Sequence, residues 1–203
     1  MCTRAALLRA GAVLLAERPI DAIPVDDIVA AAGVSKGSFF NHFESKDALA
    51  RSIAIEIREE IGGRVRAGNV GILDPAECVA TGVCVFVRFA LSEPGRALIM
   101  LRDNAWVTSV RNPLNRGLEA HMAGGVAQGR FEARAASVGV AFIVGLGHTL
   151  VFAAANDGLS VAQAMSLATD VLVLALCGLG LTEPDARTVV ARSVATVFGT
   201  SVA

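Results

Sequence analysis

The chain has 203 residues, 54% of them hydrophobic and 18% charged, enough for one large or two small domains with a sizeable core. A net charge of −1 excludes a uniformly basic nucleic-acid binder, so any basic footprint must be local. A mean hydropathy of +0.57 is high for a soluble chain and implies that more apolar surface is buried than one fold needs.

The opening run, MCTRAALLRAGAVLLAERP, contains too short an apolar stretch for a signal peptide and reads as a first helix that Pro19 stops. In the second segment Val25, Ile28, Val29 and Ala32 repeat at i, i+3, i+4 and i+7, an apolar stripe on a helix of about two turns that Gly33 breaks. Ser35 is a good N-cap for a third helix, which buries Phe39 and Phe43 and turns Lys36, Gly37, Ser38, Asn41 and His42 outward. The expected rod, Ser35 to His42, is about 12 Å long and suits a DNA major groove. Ser45 caps the fourth helix. Lys46 in its first turn opposes the helix dipole, which a nearby phosphate would explain. The only two lysines of the chain, Lys36 and Lys46, both fall in this unit.

The fourth helix carries Leu49, Ile53, Ile57 and Ile61 at i+4 spacing and is expected to end near Gly62-Gly63, joining the two halves as a lever arm. Asp74-Pro75 with Glu77 opens a helix to about Leu91, Ser92-Glu93-Pro94 a short one, and Asn112-Pro113 one that passes Leu118 and Met122 toward Gly129. Ser160 with Gln163, and Thr182 with Asp185, read as capping boxes. No strand alternation competes, and the fold class is all-α. Cys2, Cys78, Cys84 and Cys177 show no CxxC spacing and read as reduced thiols of a cytoplasmic protein.

Residues 137–156 contain no Asp, Glu, Lys or Arg, and residues 161–181 contain only Asp170. Either segment has the length to cross a bilayer, but no aromatic or basic belt flanks them, and His148 and Asp170 sit mid-segment. The favoured reading is an antiparallel pair with one face on its own domain and the other on a second subunit. Gly139, Ala141, Gly145, Gly147, Ala153, Ala164 and Ala168 would permit close approach. A membrane hairpin is the rival.

The run GVSKGSFFNHFESKDAL, preceded by IPVDDIVAAA and TRAALLRAGAVLLAERPIDA, resembles the DNA-binding domain of TetR-type transcriptional repressors over about residues 3–54. The resemblance implies a three-helix helix-turn-helix domain, residues 1–48, and a helical ligand-binding and dimerisation domain, residues 49–203. It carries Lys36, Gly37, Ser38 and Asn41 toward base edges and Phe40, His42 and Lys46 toward phosphates, although a rotation by one position would send Lys36 or Asn41 to phosphate instead. The family's usual Tyr is Phe40 here, its capping Thr is Ile23 followed by Pro24, and its helix-ending Gly is Pro19. Phe86, Phe89, Met100, Trp106, Met122 and Phe142 are the implied lining of a cavity for an unidentified, apolar effector, with Arg88, His121 and His148 as polar anchors; core packing is the competing reading for each. The implied function is a dimeric repressor that pairs through residues about 137–180, binds a palindromic double-stranded operator and is released by the effector. No cofactor or metal is expected, and no HExxH, GxSxG or phosphate-cradling loop points to an enzyme.

Overall fold

The computed structural model describes residues 3–102 and 115–199, and every regular element among them is helical. Cys2, Trp106 and the Asn112-Pro113 helix start lie outside the described residues. Helices α1 (Thr3–Glu17), α2 (Val25–Ala32), α3 (Lys36–Phe40) and the start of α4 (Lys46–Gly68) share one small core. Leu7, Leu15, Ile23, Ile28, Phe39, Phe43, Leu49 and Ile53 are its buried members. Gly11 lets α1 press against α4: a Cβ there would lie 2.9 Å from both Ile53 Cδ1 and Leu49 Cδ2.

Helix α4 does not stop at Gly62-Gly63 as expected but runs on to Gly68. Each interior glycine costs about 1 kcal/mol of helix propensity relative to Ala. Packing against α5 (Pro75–Ser92) offsets that cost, because Gly82 admits Val65, whose Cγ1 lies 3.4 Å from where a Cβ would be, and Gly68 sits against Thr81 and Val85. Tertiary burial overrode the local breaker.

Helix α5 starts as the sequence implies, with Asp74 accepting from the Ala76 amide at 2.9 Å and Pro75 in the first turn. It lies at the centre of the second half and is packed by α4, α8 (Ala135–Asn156) and α10 (Glu183–Phe198). Its Thr81 hydroxyl meets that of Ser193 on α10 at 3.1 Å, so the polar groups in this seam satisfy each other. Glu77 does not complete a capping box and pairs instead with Arg192 at 3.1 Å.

At the far end the expected capping box of α10 is also absent: Thr182 makes no side-chain cap bond. Asp185 is engaged elsewhere, by Arg130, which also holds Asp74 through two bonds of 3.0 and 2.7 Å. The guanidinium thus ties the starts of α5 and α10 to the turn after α7 (Arg116–Ala127). Burial by itself would raise the Asp74 carboxyl, but the bonds from Arg130 and the Ala76 amide outweigh it and hold the group below its ordinary value.

Short helix α6 (Pro94–Arg102) crosses back to the first half. A Cβ on Gly95 would come 2.7 Å from that of Ala16, and Arg102 donates to the Leu15 carbonyl at 2.9 Å. Where α4, α5 and α6 meet, Arg64 and Arg96 bridge Glu60 and Glu93 over the face of Phe89, with guanidinium-to-ring distances of 5.3 and 5.7 Å.

Helices α8 and α9 (Val161–Gly178) bury only one face each. Helix α9 opens with the expected reciprocal Ser160–Gln163 capping box. Inward go Ile143, Leu150, Val151, Leu172 and Leu176; outward go Val138, Phe142 and Phe152 of α8 and Val161, Leu167 and Leu174 of α9, the last 73% exposed. Several small residues expected on the outer face are turned inward. Gly139 lies against Met122, and Ala164 and Ala168 are buried in their own chain, which leaves Ala141 and Gly145 on the exposed stripe. Helices α5, α8 and α9 are long and apolar enough to cross a membrane by length and composition.

Two substitutions test this packing. Gly125 faces the Phe131 ring with no room for a Cβ, so Gly125→Ala is expected to destabilise by about 1–3 kcal/mol in thermal melting despite its better helix propensity. Arg130→Ala should cost about 1–2 kcal/mol, since its pairs are a quarter or more exposed and partly screened. The Asp74 contribution is present above the ordinary value of 3.8 and is lost as pH falls through the lowered folded value, so the wild-type and Arg130→Ala melting curves should converge on acidification.

Candidate nucleic-acid interface and effector cavity

The turn between α2 and α3 is set by Gly33 at φ 66 and ψ 36, a left-handed conformation that closes α2 and redirects the chain. Ser35 then accepts from the Ser38 amide at 3.2 Å and caps α3. The helix is shorter than expected. It spans Lys36–Phe40, five residues, with Asn41 as its C-cap, so the helical rod is about 7.5 Å long rather than 12 Å, and His42 lies in the turn beyond it. Phe39 is fully buried and meets Phe40 edge-on at 5.2 Å, while Phe43 is held under Arg4 at 5.4 Å from the ring centroid.

With Phe39 inward, the rest of α3 faces solvent. Lys36, Gly37, Phe40, Asn41 and His42 are exposed and Ser38 is half-buried, with its hydroxyl 2.9 Å from that of Ser35. Phe40 is 53% exposed, an apolar ring with no covering side. Lys36 is paired with Asp26 at 2.9 Å, a side-chain contact more than half exposed at both ends. A pair this wet is worth less than about 1 kcal/mol, so the ammonium is readily lent to another anion.

Lys46 has a second explanation that the sequence did not offer. Its Nζ donates to the carbonyls of Asp21 at 3.0 Å and Ile23 at 3.2 Å, binding the start of α4 to the 3-10 turn Ile20–Ala22 and the chain entering α2. Those carbonyls offset the unfavourable dipole position without any phosphate. Pro24 stands at the N-cap of α2 with no side-chain cap bond, and the helix proper begins at Val25.

In the second half a cavity of about 580 Å³ opens along α4. Its wall includes Arg58, Val65 and Arg66 of α4 and its C-cap Asn69, Phe86 of α5 and Met100 of α6, and α7 and α8 close it with His121 and His148. Of the residues expected to line it, Phe86 and Met100 do so, as do the anchors His121 and His148. Phe89, Met122 and Phe142 do not. Phe89 is held under Arg64 and Arg96, Met122 is buried against Gly139, and Phe142 stands 41% exposed on the outer face of α8. Arg88 is also elsewhere, donating to the Val197 carbonyl. Sequence reasoning missed Arg58, Asn69 and Val65, which recur along one face of α4; the i, i+7, i+11 spacing was legible, but nothing in it distinguishes a cavity wall from core.

The polar groups of the cavity have definite states. Burial lowers the pKa of both His121 and His148, with Arg58 adding to the effect on His148, so both are neutral near pH 7 and serve as hydrogen-bonding groups. Arg58 is buried and donates to the Met100 carbonyl at 2.7 Å. Asn69 donates to the Cys78 carbonyl at 3.2 Å, but its buried Oδ1 accepts from no described group, a deficit worth about 1–3 kcal/mol. Burial raises the Cys78 thiol and pushes Cys84 up to about 12, so both stay protonated and unreactive.

A Gly-turned, Ser-capped two-helix corner with an exposed polar edge, mounted on a helical second half with a cavity, defines a helix-turn-helix DNA-binding regulator. Residues 7–53 match the family model described as bacterial regulatory proteins, tetR family. The chain is 25% identical over 188 residues to the HTH-type transcriptional regulator Rv1255c of Mycobacterium tuberculosis, spanning 93% of this chain and 81% of that one. Over 63 residues, 31% of each chain, it is 38% identical to the HTH-type transcriptional repressor KstR2 of Rhodococcus jostii. The fold matches that of RolR in complex with resorcinol with a TM-score of 0.66 at 20% identity, covering 94% of this chain and 93% of that one.

Lys46→Met is expected to lower thermal stability by about 1–2 kcal/mol by removing two bonds to carbonyls, and to weaken binding to every duplex. An unchanged melting temperature would show that those bonds contribute nothing.

Proposed function

We propose that the chain is a ligand-responsive homodimeric repressor in the cytoplasm, not an enzyme, that binds a palindromic double-stranded operator. Helix α4 carries this reading: it starts at Ser45, beside the DNA-reading corner, and its later turns contribute Arg58, Gly62, Val65, Arg66 and Asn69 to the cavity wall. Helix α6 is a second link, since Met100 lines the cavity while Gly95 presses on α1. An occupant that fits better when α4 or α6 is tilted shifts the population toward a wrong spacing of the two reading helices, at a coupling of about 1–3 kcal/mol. In this reading the functional division is drawn at 48/49, inside α4, whose next turn still packs Leu49 and Ile53 into the corner.

In this reading Lys36, Gly37, Ser38 and Asn41 face base edges, and Phe40, His42 and Lys46 lie along the backbone. One short helix makes too few contacts for a specific site; two, about 34 Å apart, read two half-sites. The exposed apolar stripe of α8 and α9, from Val138 to Leu174, is the surface through which two copies pair, and burying it accounts for the high hydropathy of the chain better than a bilayer does, because Asp170 and Thr149 share that exposed surface. The effector is a small molecule, as resorcinol is for RolR.

Selection from random duplexes should enrich a palindrome of roughly 15–30 base pairs; enrichment of no motif would end the proposal. Phe152→Glu with Leu174→Glu should convert a dimer to monomers in sedimentation and weaken operator binding at least tenfold, and an unchanged sedimentation coefficient would move the interface elsewhere. Asp26→Asn frees Lys36 and removes a like charge from the DNA side, so operator affinity should rise and the salt dependence steepen; a fall in affinity would place Lys36 away from the DNA.

A further inference from the structure

The charge of the cavity wall says more about its occupant than its apolar area does. No Asp or Glu is among the described residues that line it, although the chain holds 19 acids against 18 basic residues. Arginine elsewhere on this protein is habitually engaged: Arg4, Arg18, Arg64, Arg96, Arg130, Arg134, Arg187 and Arg192 all hold carboxylates. Arg66 on α4 and Arg116 at the start of α7 differ. Both line the cavity and both are exposed, and neither makes a hydrogen bond or ion pair with any described group. They reach the cavity from two different helices.

Two further features belong to the same wall. Residues 115 to 118, the first turn of α7, line the cavity, and the N-cap Asn115 supplies no side-chain bond to the amides of that turn, so the positive end of a 12-residue helix faces the cavity. One helical turn from Arg66, the buried Asn69 Oδ1 accepts from no described group, so it calls for a donor on the body of an occupant and not for the acidic group. Deeper in, Val65, Val79, Val83, Phe86 and Val151 offer only apolar surface.

We propose that the effector is an amphipathic organic anion, its acidic group held at the mouth by Arg66, Arg116 and the first turn of α7, its apolar body lying along α4 toward Met100. This rests on the reading of the cavity as an effector site. It differs from the apolar effector that the resemblance implies, and it gives a partner to the two exposed guanidiniums of the cavity wall. An acid there replaces water around both cations at once and supplies the bidentate acceptor that arginine geometry favours.

The test uses the full-length protein without DNA. The neutral dye N-phenyl-1-naphthylamine reports on the cavity by its emission and is displaced by matched pairs, straight-chain and aryl carboxylic acids each against the primary amide of the same body, with the corresponding alkyl phosphate as a third arm. At least one anion is expected to displace the dye at a concentration tenfold or more below its amide, and the preference is expected to fall to within about twofold in Arg66→Gln/Arg116→Gln. Preference for the phosphate over the acid assigns a phosphoryl headgroup, the reverse a carboxyl; either supports the proposal. It is overturned if acids, phosphates and amides compete equally, if none of them displaces the dye, or if the preference survives in the double variant. Melting curves and retained dye binding show that the variant is folded. Because no DNA is present, failure here leaves operator selection standing, and failure of operator selection leaves the anion preference standing.

Discussion

The structure depends on the continuity of α4. A single helix of 23 residues belongs to the core of the DNA-reading corner through Leu49 and Ile53, and to the second half through Ile57, Ile61 and its seam with α5. Two interior glycines weaken it locally, yet interrupting it would strand the cavity wall on a segment with no fixed relation to α3. Continuity is maintained by close approach: Gly11 lets α1 hold one end, and Gly82 lets α5 hold the other. A rod clamped at both ends transmits tilt, and the same geometry that stabilises the fold provides a physical route between cavity and corner.

Charge on this protein is spent mostly on holding helices together. The Glu60–Arg64–Glu93–Arg96 network lies where α4, α5 and α6 meet, and Arg130 fastens two helix starts to one turn. Little cationic charge is left for partners, which fits a net charge of −1. Lys36 is held only by a solvent-exposed pair, whereas Lys46 is committed to two carbonyls, so the two lysines have different stakes in the fold. Lys46 braces the corner, and in the proposed reading, where it also borders the DNA, it links the stability of that corner to its affinity.

The apolar surplus of the chain has a definite address. Among the described residues, six of the eleven exposed large hydrophobic side chains lie on α8 and α9, on the face opposite the one those helices bury in their own domain. An apolar face of this kind is costly in water, and the proposed pairing between copies would remove it without a membrane.

Much of this was legible in residue order. Gly33 had to be a turn because only glycine takes a left-handed backbone without penalty, Ser35 and Ser45 had to cap, and Phe39 and Phe43 had to point inward. Local rules sufficed there because caps and turns act over a few residues. They misjudged the end of α4, since packing on α5 outweighs two glycines, and they misassigned Asp185, which serves a salt bridge to Arg130 rather than a cap. The cavity was the least legible part. Helical periodicity gives the facing of Phe86, Phe89, Met122 and Phe142 only relative to their own helices, and which side meets a void, a guanidinium pair or water is decided by how the other helices are placed. The sequence determined what each segment becomes; only the tertiary arrangement determined what each segment faces, because facing depends on contacts between residues far apart in the chain.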